Sequence, residues 1–366
     1  MIRRPSRRAR RAQWVLLAMV LAVLVLLVHN AADNLAARHM RFSYDYLSAP
    51  ANFDIPFHIL DWATTDSYGR VLLVALANTL LVSALAIVTA TLLGLLVGVM
   101  RLSVNWLLRV FATGFIELVR NTPQLIQVVF WYAAVLQALP SPRQSLNVLP
   151  GFLLNVRGLY IPHLVLSNAA PPLLSISAVM LVTGVVAIRR YNVRHWFWLP
   201  LCACVPISLA VARIDWPVVG GFNVRGGTVV PPELVALWLG LSIYSAGFVA
   251  EIVRGAIEAV PTGQVEAAQA LGLRPHRILV SVILPQAIRM MVPPLTSQYL
   301  NLVKSSSLGA AIAYPEIFQI FAGTVLNQSG HEIETMSLVA GVFLTISLLI
   351  SAFMNWYNRR VRLAGR

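Results

Sequence analysis

Residues 71–100 run for thirty positions without one Asp, Glu, Lys or Arg. A helix of that length outspans the ~30 Å hydrocarbon core of a bilayer at about 1.5 Å per residue. Seven further apolar stretches meet or approach a spanning length: 14–28, about 111–139, 172–188, 196–212, 234–250, 288–326 and 336–356. The stretch at 111–139 holds Glu117, Arg120 and Pro123 in its first half, and the one at 288–326 is broken by Lys304 and Pro315. Of the 366 residues, 58% are apolar and 11% are charged. A soluble domain carries about 25% charged residues, so this chain lacks the charge to solubilise a core of its size. Disorder, collagen and an ordinary soluble enzyme are excluded. The expectation is an all-α polytopic membrane bundle with about eight transmembrane helices.

The net charge of +14 describes orientation better than partners. With the N-terminus placed inside, twenty of the 28 basic residues fall on the inner side. They are the six arginines of the leading tail, Arg101, Arg109, Arg120, Arg189, Arg190, Arg194, Arg254, Arg274, Arg277, Arg289, and the four of the closing tail. Seven fall outside, and Lys304, the sole lysine, lies within an apolar region. This split follows the positive-inside rule with both termini cytoplasmic. The alternative for 14–28 is the apolar region of a signal peptide. A nucleic-acid partner is not expected, because such proteins display their charge on a soluble domain. Of the outer segments, 30–70 is polar and aromatic-rich. Segment 140–171 reads as an ordered loop on the membrane face, and 213–232 is rich in Gly and Pro.

The inner loop after the sixth stretch carries Glu266-Ala267-Ala268, then Gly272, then Val282-Ile283-Leu284-Pro285. Thr262 is placed to cap a short helix starting near Gly263. Gly272 ends that helix and Pro275 opens the next segment. A compact helix–turn–helix on the cytoplasmic surface suits docking into a groove of another protein; otherwise it is a plain amphipathic surface element. The stretch resembles the EAA loop of ABC importer permeases, with Val282 standing where Ile is usual. A second set of marks resembles the polar amino acid permeases: Glu117-Leu-Val-Arg120-Asn-Thr-Pro123, Asn78-Thr79, Lys304-Ser305-Ser306-Ser307-Leu308, and Pro315-Glu316-Ile317. The enlarged layout is similar to the permeases for general L-amino acid uptake.

The resemblance implies a type I ABC importer permease core at 67–358, enlarged by a leading segment at 1–66 and an insertion at about 141–232, with a tail at 359–366. It implies a related permease chain as partner, forming a heterodimer, two ATPase subunits that hold ATP and Mg, and a periplasmic amino-acid-binding protein. It places the chain in a bacterial inner membrane and assigns ATPase coupling to Glu266, Ala267, Ala268, Gly272, Leu284 and Pro285.

Charged and polar groups inside an apolar bundle are candidates for the L-amino acid pathway. Glu117 and Arg120, three apart, are read either as an ion pair closing the inner end or as a gate. Lys304 with Ser305 either lines the pathway at a broken helix or reaches an interface. Glu316 either meets a substrate ammonium or satisfies Lys304. Asn78 and Thr79 either face substrate or pack helices together. No phosphate-binding loop, metal-ligand spacing or nucleophile motif is present in the sequence, so neither an enzyme nor a resident cofactor is expected. The competing reading is an ion-coupled secondary transporter of small polar solutes, which composition and topology alone would allow.

Overall fold

The structure, a computed structural model, describes residues 7–37, 42–165, 213–221 and 223–361. Its helices are α1 (Arg7–Ala37), α2 (Tyr68–Arg101), α3 (Trp106–Asn121), α4 (Gln124–Val129), α5 (Pro232–Glu258), α6 (Thr262–Ala270), α7 (Pro275–Ile278), α8 (Leu284–Ser305), α9 (Leu326–Ser329) and α10 (Glu332–Val361). Eight short strands, β1 to β8, lie between α4 and α5.

Among the described residues, four helical segments are long and apolar enough to cross a membrane: Tyr68–Arg101, Pro232–Glu258, Pro275–Ile312 and Glu332–Arg360. This corrects the expected eight, and the causes are local. The apolar part of α1 covers only Gln13–Leu27. The stretch at 111–139 is cut by Pro123, which caps α4 while Thr122 before it is extended at φ −97°, ψ 128°. Proline disfavours helical backbone in its predecessor, so one hydrophobic run becomes two short helices. The stretches at 172–188 and 196–212 lie outside the described residues. The stretch expected at 288–326 instead starts at Pro275 and stops at Ile312, where Ala313 turns left-handed at φ 58°.

The core seam is α2 against α5. Gly94 and Gly98 sit one turn apart on α2, and both face α5. A Cβ on Gly94 would stand 2.5 Å from Val249 Cβ; one on Gly98 would stand 2.8 Å from the Ala250 carbonyl oxygen. Small residues at this spacing let two helix backbones approach closely, the usual source of helix association in lipid. Trp238 Nε1 donates to Thr89 Oγ1 across the same pair at 3.0 Å.

Two of the segments expected to lie outside, 140–171 and 213–232, contain strands among their described residues. β1 (Leu146–Leu149), β2 (Phe152–Asn155) and β3 (Gly158–Ile161) form an antiparallel meander, and β8 (Thr228–Val230) adds to β3. β4 (His163–Val165) pairs with β5 (Arg213–Asp215), and β6 (Val218–Gly220) with β7 (Asn223–Arg225). The β3–β8 pairing returns the chain directly to the start of α5, where Tyr132 Oη donates to Glu233 at 3.1 Å.

Candidate functional site

Two sites come from the sequence candidates: an exposed knob between α5 and α8, and a polar recess between α4, α5 and α8.

The knob is α6. Thr262 does not cap it: the helix begins at Thr262 itself, with Pro261 in the capping position and no side-chain bond. Proline supplies a fitting φ and there is no hydroxyl to spare. At the other end Gly272 has φ +73°, its N–H donates to Gln269 O at 2.9 Å, and Leu273 N–H donates to Ala268 O at 3.2 Å. This is the glycine-terminated helix end in which only a residue without Cβ is unstrained. Ala268 is buried, whereas Glu266, Ala267 and Gly272 are exposed. Leu271 is 80% exposed, an uncovered apolar side chain beside a smooth alanine face. Gln264 accepts a hydrogen bond from Gln286 on α8, which ties the knob to the helix that Leu284 and Pro285 open.

The buried candidates form a different unit. Asn78 Nδ2 donates to Pro315 O and to Phe57 O, both at 2.9 Å. Tyr314 Oη donates to Asn78 O at 3.0 Å, and Ile317 N–H donates to Thr79 Oγ1 at 3.1 Å. Glu316 is fully buried and accepts from Phe318 N–H at 2.9 Å and Gln319 N–H at 2.6 Å. A helix interrupted at 313–317 exposes backbone groups that must be satisfied internally. Asn78, Thr79 and Glu316 satisfy them. Glu316 is not paired with Lys304 and does not line the recess.

Glu117 and Arg120 do not pair either. Asn121 Nδ2 donates to Glu117 Oε2 at 3.2 Å, and the Arg120 guanidinium lies 5.1 Å from the centre of the Phe248 ring. The expected inner ion pair is replaced by a cation over an aromatic face.

Lys304 and Ser305 do come together, in a recess of about 330 Å³. It is lined by Gln124 on α4, Tyr244, Ser245 and Phe248 on α5, and Gln298, Asn301 and Leu302 on α8 with the lysine. The volume is at the lower end for small-molecule sites. Lys304 is exposed, no carboxylate lines the wall, and Arg120 stands behind Phe248. Ser245 Oγ is buried without a protein partner. The arrangement offers an ammonium to an anionic group, and amides and hydroxyls to other polar groups. The amides and Ser245 were missed in the sequence, although Gln298, Asn301 and Ser305 recur at helical spacing and mark one polar stripe along α8. Among the described residues no group of His, Cys, Asp or Glu is placed to hold a metal.

Comparison with known proteins decides the family. The model of the binding-protein-dependent transport system inner membrane component matches residues 90–363. The chain belongs to this family. It is a permease of the ABC transporter class, a non-catalytic subunit of a multi-subunit importer, and a multi-pass membrane protein. The general L-amino acid transport system permease protein AapQ of Rhizobium johnstonii is 40% identical, covering 92% of this chain and 88% of that protein. YhdX of Escherichia coli K12, provisionally designated an amino-acid ABC transporter permease protein, is 45% identical over 99% of this chain and 96% of its own. BztB of Rhodobacter capsulatus, a glutamate/glutamine/aspartate/asparagine transport system permease protein, is 35% identical over 97% and 93%. A crystal structure of an amino acid ABC transporter with histidines shares the fold, with a TM-score of 0.51 at 20% identity over 80% of this permease and 95% of that chain. The ion-coupled reading gains no support from these matches.

Proposed function

We propose that this permease carries L-amino acids of broad side-chain type inward, driven by ATP hydrolysis in partner subunits. The observation that carries this reading is the recess at Lys304. It offers one cation and several neutral polar groups, a pattern that suits the carboxylate common to all amino acids and leaves the side chain loosely held. Full-length relatives that bear amino-acid names support the same cargo.

In this reading Glu266, Ala267, Ala268, Gly272, Leu284 and Pro285 shape the knob that docks in a cleft of one of two ATPase subunits, which hold ATP and Mg. A related but different permease chain completes a heterodimer, and a periplasmic binding protein delivers the substrate. Both termini lie in the cytoplasm of a bacterial cell, with 67–358 as the transport core, 141–232 as its outer insertion, and 1–66 and 359–366 as flanking segments. The test is uptake by the reconstituted complex. Lys304→Met raises the KM for every amino acid by roughly tenfold, as for loss of one charge-assisted hydrogen bond, with complex assembly intact. An unchanged KM across the panel would remove the recess from the pathway.

A further inference from the structure

Four charged side chains at the α6 end of the bundle form a continuous ladder. Arg101, the last residue of α2, pairs with Glu251 of α5. Arg254 Nε and Nη2 donate to the other oxygen of Glu251 at 3.1 and 2.9 Å, and the same guanidinium pairs with Glu258. Glu258 is the last residue of α5, and only three residues separate it from α6. The inner pair is sheltered, with about a fifth of each side chain exposed on Arg101 and Glu251 (21% and 20%). The contact joins two helices that already approach closely at Gly98, three residues before Arg101.

The sequence counts these arginines only as markers of the inner side. In the folded chain they do something more specific. α5 leads directly into the knob, so a push on α6 reaches α5 through the backbone. It reaches α2 through side chains, which include the glycine seam and the Trp238–Thr89 hydrogen bond within the bundle and the Arg101–Glu251 pair at the end nearest the knob. Van der Waals packing at the seam resists separation of the helices. It resists sliding along their axes less, because ridge and groove can re-engage one turn along. An ion pair between the end of α2 and the side of α5 opposes that slip.

We propose that Glu251 is a positioning residue for coupling: it clamps the end of α2 to α5, so that displacement of α6 moves both helices as one lever. This rests on the reading of α6 as the knob that the ATPase grips. Arg254 holds the Glu251 carboxylate toward Arg101 and passes the connection to Glu258 beside the knob.

The experiment uses the full complex in proteoliposomes with its binding protein, and reads amino acid moved per ATP hydrolysed. Glu251→Gln and Arg101→Gln keep side-chain size. Each is expected to lower that ratio by roughly tenfold, within the range of coupling between residues of one ion-pair network, while the KM for substrate stays unchanged. The double variant is expected to be no worse than either single one, because both remove the same contact. In a variant with Arg101→Cys, Glu251→Cys, Cys202→Ser and Cys204→Ser, a bifunctional maleimide joining positions 101 and 251 restores the ratio. Size-exclusion of the assembled complex serves as the control for folding. A wild-type ratio in both single variants overturns the clamp, as does a double variant whose loss is the product of the two. Ala267→Trp separates the two levels of the argument. If it leaves binding-protein-stimulated ATP hydrolysis at the wild-type level, the reading of α6 itself fails. If it abolishes stimulation while Glu251→Gln couples normally, the knob stands and the clamp does not.

Discussion

Replacing Gly94 and Gly98 by alanine probes the seam on which the bundle depends. A methyl on Gly94 would lie 2.5 Å from Val249 Cβ, 2.6 Å from its Cγ1 and 3.0 Å from the Ala246 carbonyl oxygen. On Gly98 it would lie 2.8 Å from the Ala250 carbonyl oxygen and 2.9 Å from Val253 Cβ. Carbon atoms settle at about 3.5–4.0 Å, so α2 must retreat from α5 by roughly 1 Å. The obstacles include backbone oxygens and Cβ atoms, which no rotamer change can move. Overpacking of this kind costs about 1–3 kcal/mol, against a gain of at most about 1 kcal/mol in helix propensity. Each single variant is therefore destabilised by about 1–2 kcal/mol. The double variant loses less than the sum, since one retreat relieves both contacts. Gly114 on α3 is the internal control, because nothing lies within 4 Å of its would-be Cβ. Gly114→Ala is neutral or slightly stabilising. Thermal unfolding of the detergent-purified chain, followed by circular dichroism, ranks the variants. Equal midpoints for Gly94→Ala and Gly114→Ala would refute the close seam.

Three further substitutions address the helix break and the knob. Asn78→Leu removes the donor that Phe57 O and Pro315 O share, and lowers stability by about 2–4 kcal/mol in the same melting assay. Glu316→Ala leaves the N–H groups of Phe318 and Gln319 without their acceptor and costs about 1–2 kcal/mol, whereas Glu316→Gln, which keeps one acceptor oxygen, costs less than Glu316→Ala. Gly272→Val strains a left-handed position in open space by about 1–2 kcal/mol. It leaves the thermal midpoint of the bundle nearly unchanged and reduces binding-protein-stimulated ATP hydrolysis, which a coupled phosphate-release assay reads.

The parts of this fold that were legible in the sequence are those governed by composition over a long window. Residues 71–100 and the apolar stretches near 234–250 and 336–356 became α2, α5 and α10, because burying or lipidating an uncharged run leaves helix as the only way to satisfy its backbone. What one residue controls was not legible by hydropathy. Pro123 divides a run that reads as continuous, and Ala313 ends a span that hydropathy extends to 326. The strands between α4 and α5 are three or four residues long and interrupted by Gly and Pro, too short for an alternating pattern to register. At the site, the Gly272 turn was readable because only glycine is unstrained there. The duties of Glu117, Arg120 and Glu316 were not, since charge alone does not say whether a group meets a ligand, a ring or a helix end. The Arg101–Glu251 contact joins residues 150 positions apart in sequence, and neither carries a local signature of the other.

ATP-driven passage of amino acids through this chain is open to direct measurement. Its most direct measurement is uptake of a panel of radiolabelled acidic, basic and neutral L-amino acids into proteoliposomes. These hold the chain with its partner permease and ATPase, with binding protein outside and ATP inside. The expected result is accumulation of several side-chain classes that requires hydrolysable ATP and persists when ion gradients are collapsed. Accumulation that follows an ion gradient and ignores ATP, or none of any amino acid by an assembled and hydrolysing complex, would contradict it.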